Sequence, residues 1–359
     1  MIRTWIAGDC WLAANSSKAD FASVWGGLSP DIFIANLECA LPAGPSRPAR
    51  RALLPLDGGR LSELRLGENI VCVLANNHVT DYGHAGVLET IQFVEENGFK
   101  AVGAGATLAK ARKPAVLRFP ERTIGILAYS DTRYHVGSIA ATDHSPGVAP
   151  LDPSIVTEDL KCLAAQVDDV WLFLHWGQEY LRYPEPEQRE LARVFSQAGA
   201  SLIVGMHPHV IRGAEVLGKT PVYYSLGNFA FPPIPLIDGY LKKWDDESNQ
   251  GFVISGEFEN QKWNWNTTPY LISEAGQPRP VELDAQIAFR KKVELLSAPL
   301  NEFYPAIYAK LRRREALLKI ARRLGTMSWR ERLLLPGRTV RMAILKLSSR
   351  NRSGVYGNP

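Results

Sequence analysis

The feature that most constrains this chain is a series of short apolar runs, each of strand length and each closed by polar residues. Residues 4–7, 32–35, 70–74, 124–128, 170–174, 202–204 and 222–224 are apolar almost throughout. Runs of this kind fit strands buried on both faces, because a half-exposed strand would alternate apolar and polar side chains. Helical patterns lie between several of them. Residues 86–97 place Val87, Ile91 and Val94 on one face and end at Asn97-Gly98, and residues 188–198 repeat this with Leu191, Val194 and Phe195 before Gly199; glycine after the last turn is a helix stop. Strands alternating with helices predict an α/β architecture. Residues 40–60 and 131–153 read as loops, 228–250 as a proline-punctuated insertion, and 252–283 as one or two late strands.

Charge divides the chain. Its 359 residues carry 41 basic and 37 acidic side chains, yet residues 285–359 hold 17 of the basic and 4 of the acidic ones. The expectation is an acidic globular body, 1–284, with a basic helical segment, 285–359. No apolar run approaches the roughly 18 residues of a membrane span, and the chain enters its first strand pattern at once, so a cytoplasmic location is expected. Cys10, Cys39, Cys72 and Cys162 form no CxxC pair, which predicts reduced thiols.

The chemistry lies in the polar residues that close each run. Gly8-Asp9 closes the first, Asn36-Leu37-Glu38 the second, and Asn76-Asn77-His78 the third, with Asp81 close behind. His175-Trp176-Gly177 and Glu179 come after the fifth, His207-Pro208-His209 after the sixth, and Asn228 after the seventh. In α/β folds the carboxyl ends of parallel strands form the binding crevice, so Asp9, Glu38, Asn77, His78, His175, His207 and His209 should converge there. A single His or Asp beside a strand is ordinarily a satisfied polar group. Four of seven histidines in this position, with two carboxylates, is a pattern that independent accidents rarely produce. Carboxylates, imidazoles and an amide oxygen together suit a divalent transition metal such as Mn, Fe or Zn. One or two ions there would clamp the attacking and leaving oxygens of a phosphoryl transfer. His84, His135 and His144 lack this context and read as solvent-exposed loop residues.

Taken in order, Gly8-Asp9, Asn36-Leu37-Glu38, Ala75-Asn76-Asn77-His78, Asp81-Tyr82-Gly83, Val102-Gly103-Ala104-Gly105, His175-Trp176-Gly177-Gln178-Glu179-Tyr180, Gly205-Met206-His207-Pro208-His209 and Ser225-Leu226-Gly227-Asn228-Phe229 resemble the capsule-synthesis CapA family, also called poly-gamma-glutamate biosynthesis proteins. That family is similar to the calcineurin-like metallophosphatases. The resemblance implies a four-layer α/β/β/α sandwich of metallophosphatase type. It implies Asp9, Glu38, Asn77, His175, His207 and His209 as metal ligands and His78 as the group that protonates the leaving group or steadies the transition state. Asn76, Asp81, Glu179 and Asn228 are secondary candidates. The chain departs from the metallophosphatase pattern at two places. Trp11 stands where a histidine is expected two residues after the first aspartate, and Glu38 stands where an aspartate is expected.

Two functions fit these residues. One is a metal-dependent hydrolase acting on a phosphoester or an amide-linked anionic polymer, linked to capsule or poly-gamma-glutamate production. The other is a non-catalytic accessory subunit that binds such a polymer. In the basic segment, Phe303, Ile307, Leu311, Leu318 and Ala321 share one helical face, and a second candidate helix spans 339–348 beyond Pro336-Gly337. Packing on the body, contact with an anionic membrane surface at its inner face, or contact with an anionic polymer would each use this pattern. No nucleic-acid-binding motif accompanies the charge.

Overall fold

The computed structural model describes residues 1–14, 21, 29–43, 52–133 and 138–326. In chain order the strands begin with β1 (Ile2–Cys10), β2 (Ile32–Leu37), β3 (Asn69–Val73), β4 (Lys100–Val102), β5 (Ala104–Gly105) and β6 (Ala115–Arg118). They continue with β7 (Thr123–Ser130), β8 (Gly147–Val148), β9 (Asp169–His175), β10 (Leu202–Met206), β11 (Ala214–Leu217) and β12 (Thr220–Tyr223). The last are β13 (Asn228–Ala230), β14 (Ile234–Pro235), β15 (Leu241–Lys242), β16 (Gln250–Glu259), β17 (Lys262–Ile272) and β18 (Pro278–Pro280). The helices are α1 (Gly83–Glu96), α2 (Leu108–Ala111), α3 (Pro153–Ala164), α4 (Pro186–Gln197), α5 (Leu283–Ser297) and α6 (Tyr304–Thr326).

Two sheets carry the fold. The first has the order β18-β17-β16-β1-β2-β3-β4, with β13 also on β1; the second has the order β11-β12-β10-β9-β7-β6. Strands β1 to β4 run parallel, as do β7, β9, β10 and β12. The apolar runs are double-sided for a visible reason. Ile32 and Ile34 face a core shared with Ile126, Trp171, Phe173 and Val204 of the second sheet, while Phe33 and Ala35 join a separate core with Leu61, Leu64, Val87 and Val94. Successive residues of a strand point to opposite faces, so each strand feeds two cores. Full burial of one such side chain is worth roughly 2 kcal/mol. Helix α1 covers the outer face of the first sheet. On the second, α3 packs so closely that a Cβ at Gly125 of β7 would meet Leu163 at 2.7 Å. The result is the four-layer α/β/β/α sandwich.

Three details differ from the sequence pattern. The late region forms three strands, and β16 and β17 meet through Asn260 and Gln261, both at positive φ (52° and 62°). That is the backbone of a type I′ hairpin turn, here without the glycine that would announce it. His84 lies in the first turn of α1 rather than in a loop, its Nδ1 2.7 Å from the Pro146 carbonyl. Helix α5, which spans the boundary drawn at residue 285, falls within the compact unit Met1–Asn301 and contributes Phe289 and Leu296 to the inter-sheet core. The second unit begins at Glu302 and contains α6. The side chains from residue 317 onward, the candidate helix 339–348 and His135 lie outside the described residues. Cys10, Cys39, Cys72 and Cys162 are all free thiols. No helix among the described residues is long and apolar enough to cross a membrane.

Candidate metal centre

The carboxyl ends of the parallel strands of both sheets meet at one place. Asp9 sits at the end of β1, paired across to Asn36 of β2 and Asn228 of β13. Gly8 precedes it because the chain runs against β13 there; a Cβ would collide with the Gly227 carbonyl, which accepts the Asp9 amide at 3.1 Å. Glu38 follows β2, Asn77 and His78 follow β3, His175 ends β9, and His207 and His209 follow β10. Asp9, Glu38, Asn77, His175, His207 and His209 are all buried.

The side chains interlock. Asn36 Nδ2 donates to Asp9 Oδ1 at 2.8 Å and lies 3.3 Å from His175 Nδ1. His175 Nε2 stands 2.8 Å from Asn77 Oδ1 and 3.7 Å from Glu38 Oε1. His209 Nδ1 is 2.7 Å from Asn228 Oδ1, and its Nε2 is 3.8 Å from Glu38 Oε1. Because an amide oxygen can only accept, His209 donates from Nδ1 and turns the Nε2 lone pair toward Glu38. Metal-binding histidines commonly anchor their other nitrogen this way. His207 and His209 adopt positive φ, 95° and 56°. A left-handed backbone at a residue other than glycine costs of order 1–3 kcal/mol and persists where the surroundings demand it. Here it turns two imidazoles flanking one proline into the same site.

Two groups of donors can each hold an ion. Glu38, His207 and His209 form one and Asp9, Glu38 and His175 the other, the ligand atoms of each within 4.8 Å of one another. Glu38 belongs to both. The donor chemistry, buried carboxylates beside imidazoles, fits divalent cations, because buried carboxylate charge is costly unless a cation offsets it.

The secondary candidates separate by role. Asp81 Oδ2 is 2.9 Å from His78 Nδ1 and also accepts the Leu54 amide at 2.8 Å, so it orients His78. Asn76 donates to Asn36 Oδ1 and to the Leu37 carbonyl and accepts the Val79 amide; it is a brace between strand ends. Asn228 anchors His209, and Glu179 is exposed at the rim. Trp11 is buried in the outer core, donating from its ring nitrogen to the Pro55 carbonyl at 2.9 Å. The sequence pattern marks Asn36 as a strand end but does not place it among the candidate site residues. Its place between a carboxylate and a histidine from the other sheet has no local signature.

Burial shifts the protonation of two of these side chains. It pushes the Asp9 carboxyl up to about 7, against hydrogen bonds from Asn36 and the His207 amide. It pushes His209 down to about 4, against the nearby Glu179 charge and the bond to Asn228, while the Lys242 charge adds to the lowering. These shifts have opposite consequences. Folded Asp9 holds its proton above the ordinary 3.8, so its contribution to stability is lost as pH rises to about 7. Folded His209 resists protonation below its ordinary 6.5, so its contribution grows from about pH 4 to 6.5. Each acts at roughly 1.4 kcal/mol per pH unit inside its window. The two largely cancel in the wild type. Melting in the presence of chelator should therefore show Asp9→Asn gaining stability relative to wild type as pH rises from 4 to 7, and His209→Gln losing it. Parallel profiles for all three proteins would refute this account.

Residues 5–233 match the profile of the bacterial capsule synthesis protein PGA_cap. The chain belongs to this family. Among PGA_cap relatives, the PGA biosynthesis protein CapA of Bacillus subtilis (strain 168) is 36% identical over 212 residues, covering 59% of this chain and 53% of the relative. The capsule biosynthesis protein CapA of Bacillus anthracis is 30% identical over 224 residues, covering 61% and 52%. The chain thus spans about half the length of the curated relatives it matches. Similar solved structures include a novel phosphatase from Mycoplasma pneumoniae, with a TM-score of 0.47 and 13% identity over 80% of this chain and 98% of that one. The calcineurin-like phosphoesterase YfkN from Bacillus subtilis gives a TM-score of 0.38 and 14% identity over 82% and 99%. The PGA_cap match covers every strand end that builds the centre, from Asp9 to Asn228.

Proposed function

We propose that this chain is a divalent-metal-dependent hydrolase acting on a phosphoester or amide bond of an anionic polymer, in capsule or poly-gamma-glutamate production. The observation that carries the reading is the pair of buried His and carboxylate groups sharing Glu38. Asp9, Glu38, Asn77, His175, His207 and His209 would hold one or two ions of Mn, Fe or Zn. When bound, such an ion polarises the scissile group and favours a nucleophile at neutral pH. His78 is held by Asp81 through Nδ1, which leaves Nε2 to carry a proton to the leaving group. Burial keeps bulk water from competing for the ligand atoms.

Trp11 favours a second reading, in which the protein binds polymer without cleaving it, because a core indole occupies the position where an imidazole ligand is expected. One experiment separates the two. Purified protein should contain a transition metal and hydrolyse a generic phosphodiester or a γ-linked glutamate oligomer, with chelation abolishing turnover and metal restoring it. Metal with polymer binding and no turnover selects the second reading. Absence of both metal and turnover overturns the first.

A further inference from the structure

Beside the centre, the proline-punctuated insertion folds into the β14–β15 hairpin and delivers a lysine. Lys242 Nζ lies 4.4 Å from the centroid of the Tyr180 ring and 5.0 Å from that of Trp244, and it donates to the Tyr180 hydroxyl. Both rings pack against His209, at centroid distances of 6.0 Å and 5.4 Å. Neither ring is loosely placed. The Tyr180 amide donates to the Pro208 carbonyl at 2.8 Å, clipping its loop to the one that bears both histidines. Trp244 Nε1 donates to the Pro232 carbonyl at 3.0 Å.

From this geometry we propose that Lys242 is the substrate-binding residue that receives an oxyanion, carboxylate or phosphate, of a substrate seated at the metal centre. A lysine ammonium is strongly hydrated and its stem flexible. Two aromatic faces attract it and restrict it to one place. That place adjoins His209, where the charge also reaches Glu179. An ammonium has three donors, one of which meets the Tyr180 hydroxyl, and its charge is what an oxyanion beside His209 would meet. The other use for such a lysine is to balance Glu179. A balancing role would show in stability and would leave anion affinity unchanged.

This inference rests on the reading of the centre as one that takes an anionic substrate. The test uses the full chain loaded with metal and titrates two probes by calorimetry, inorganic phosphate and a γ-linked glutamate oligomer. Metal content and melting temperature are measured on the same samples. Lys242→Met should weaken anion binding on the order of tenfold, the factor for one charge-assisted hydrogen bond, with metal content unchanged. Lys242→Arg should keep most of the affinity. Loss confined to phosphate, or to the oligomer, identifies which oxyanion the lysine reads. Wild-type affinity in Lys242→Met overturns the inference and leaves the metal reading intact. A wild-type protein that holds no metal and binds neither probe overturns both.

Discussion

Replacing Glu38 with glutamine should strip the centre of metal, whereas other ligand changes should remove only part of it. Glu38 is common to both groups of donors. Glutamine keeps the volume of the buried side chain and removes its charge, so the strand ends stay packed while the electrostatic reason for two cations to sit together disappears. His207→Ala with His209→Ala leaves Asp9, Glu38 and His175 in place, and His175→Ala leaves the other group. The expected metal content, by mass spectrometry after dialysis at pH 8, is about two ions in the wild type, about one in either histidine variant, and near none in Glu38→Gln. The pH matters because the Asp9 carboxyl, raised to about 7 by burial, binds a proton in competition with metal below that value. Loss of a direct ligand should exceed the roughly 10–100-fold cost of changing an outer-shell partner. Wild-type metal content in Glu38→Gln would remove the shared carboxylate from the account. Equal depletion in all three variants would reduce the centre to a single ion.

His78→Asn is the second large effect, and it should separate chemistry from metal binding. His78 belongs to neither group of donors, so the metal content of the variant should match the wild type. Turnover should fall by roughly 10²–10⁴, the usual contribution of a positioned general acid. Asp81→Asn should fall less. An asparagine can still meet His78 Nδ1 and the Leu54 amide. Because a merely structural Asp81 would also lower activity, the deciding measurement is a double-mutant cycle: in the His78→Asn background Asp81→Asn should cost little further turnover, since its effect runs through His78. Additive losses, or metal loss in His78→Asn, would return both residues to a structural role.

Much of this was legible along the chain, and the reason is local. A strand buried on both faces must be apolar throughout, and the polar residue that ends it must stand at the edge of the sheet. Position in sequence therefore reported position in space for Asp9, Glu38, Asn77, His175 and His207. His207 and His209 flank Pro208, and the positive φ at both is how the backbone turns the two rings into one site. The order of these segments was also sufficient to show the PGA_cap family.

Other features had no local signal. Ile32, Phe33, Ile34 and Ala35 are all apolar, so composition could not say which of them faces the second sheet. The β16–β17 turn at Asn260-Gln261 lacks the glycine that would mark it. Asn36 bridges Asp9 and His175 across 139 residues of chain, and Lys242 meets Tyr180 across 62. The sequence by itself determined which residues end the strands and that metal-binding types gather among them. Only the tertiary structure decided that Glu38 is shared, that Trp11 turns into the core, and that a lysine from an insertion stands beside His209. Strand ends are set by short-range burial, while these juxtapositions depend on how two sheets and a distant hairpin pack, which no stretch of local sequence encodes.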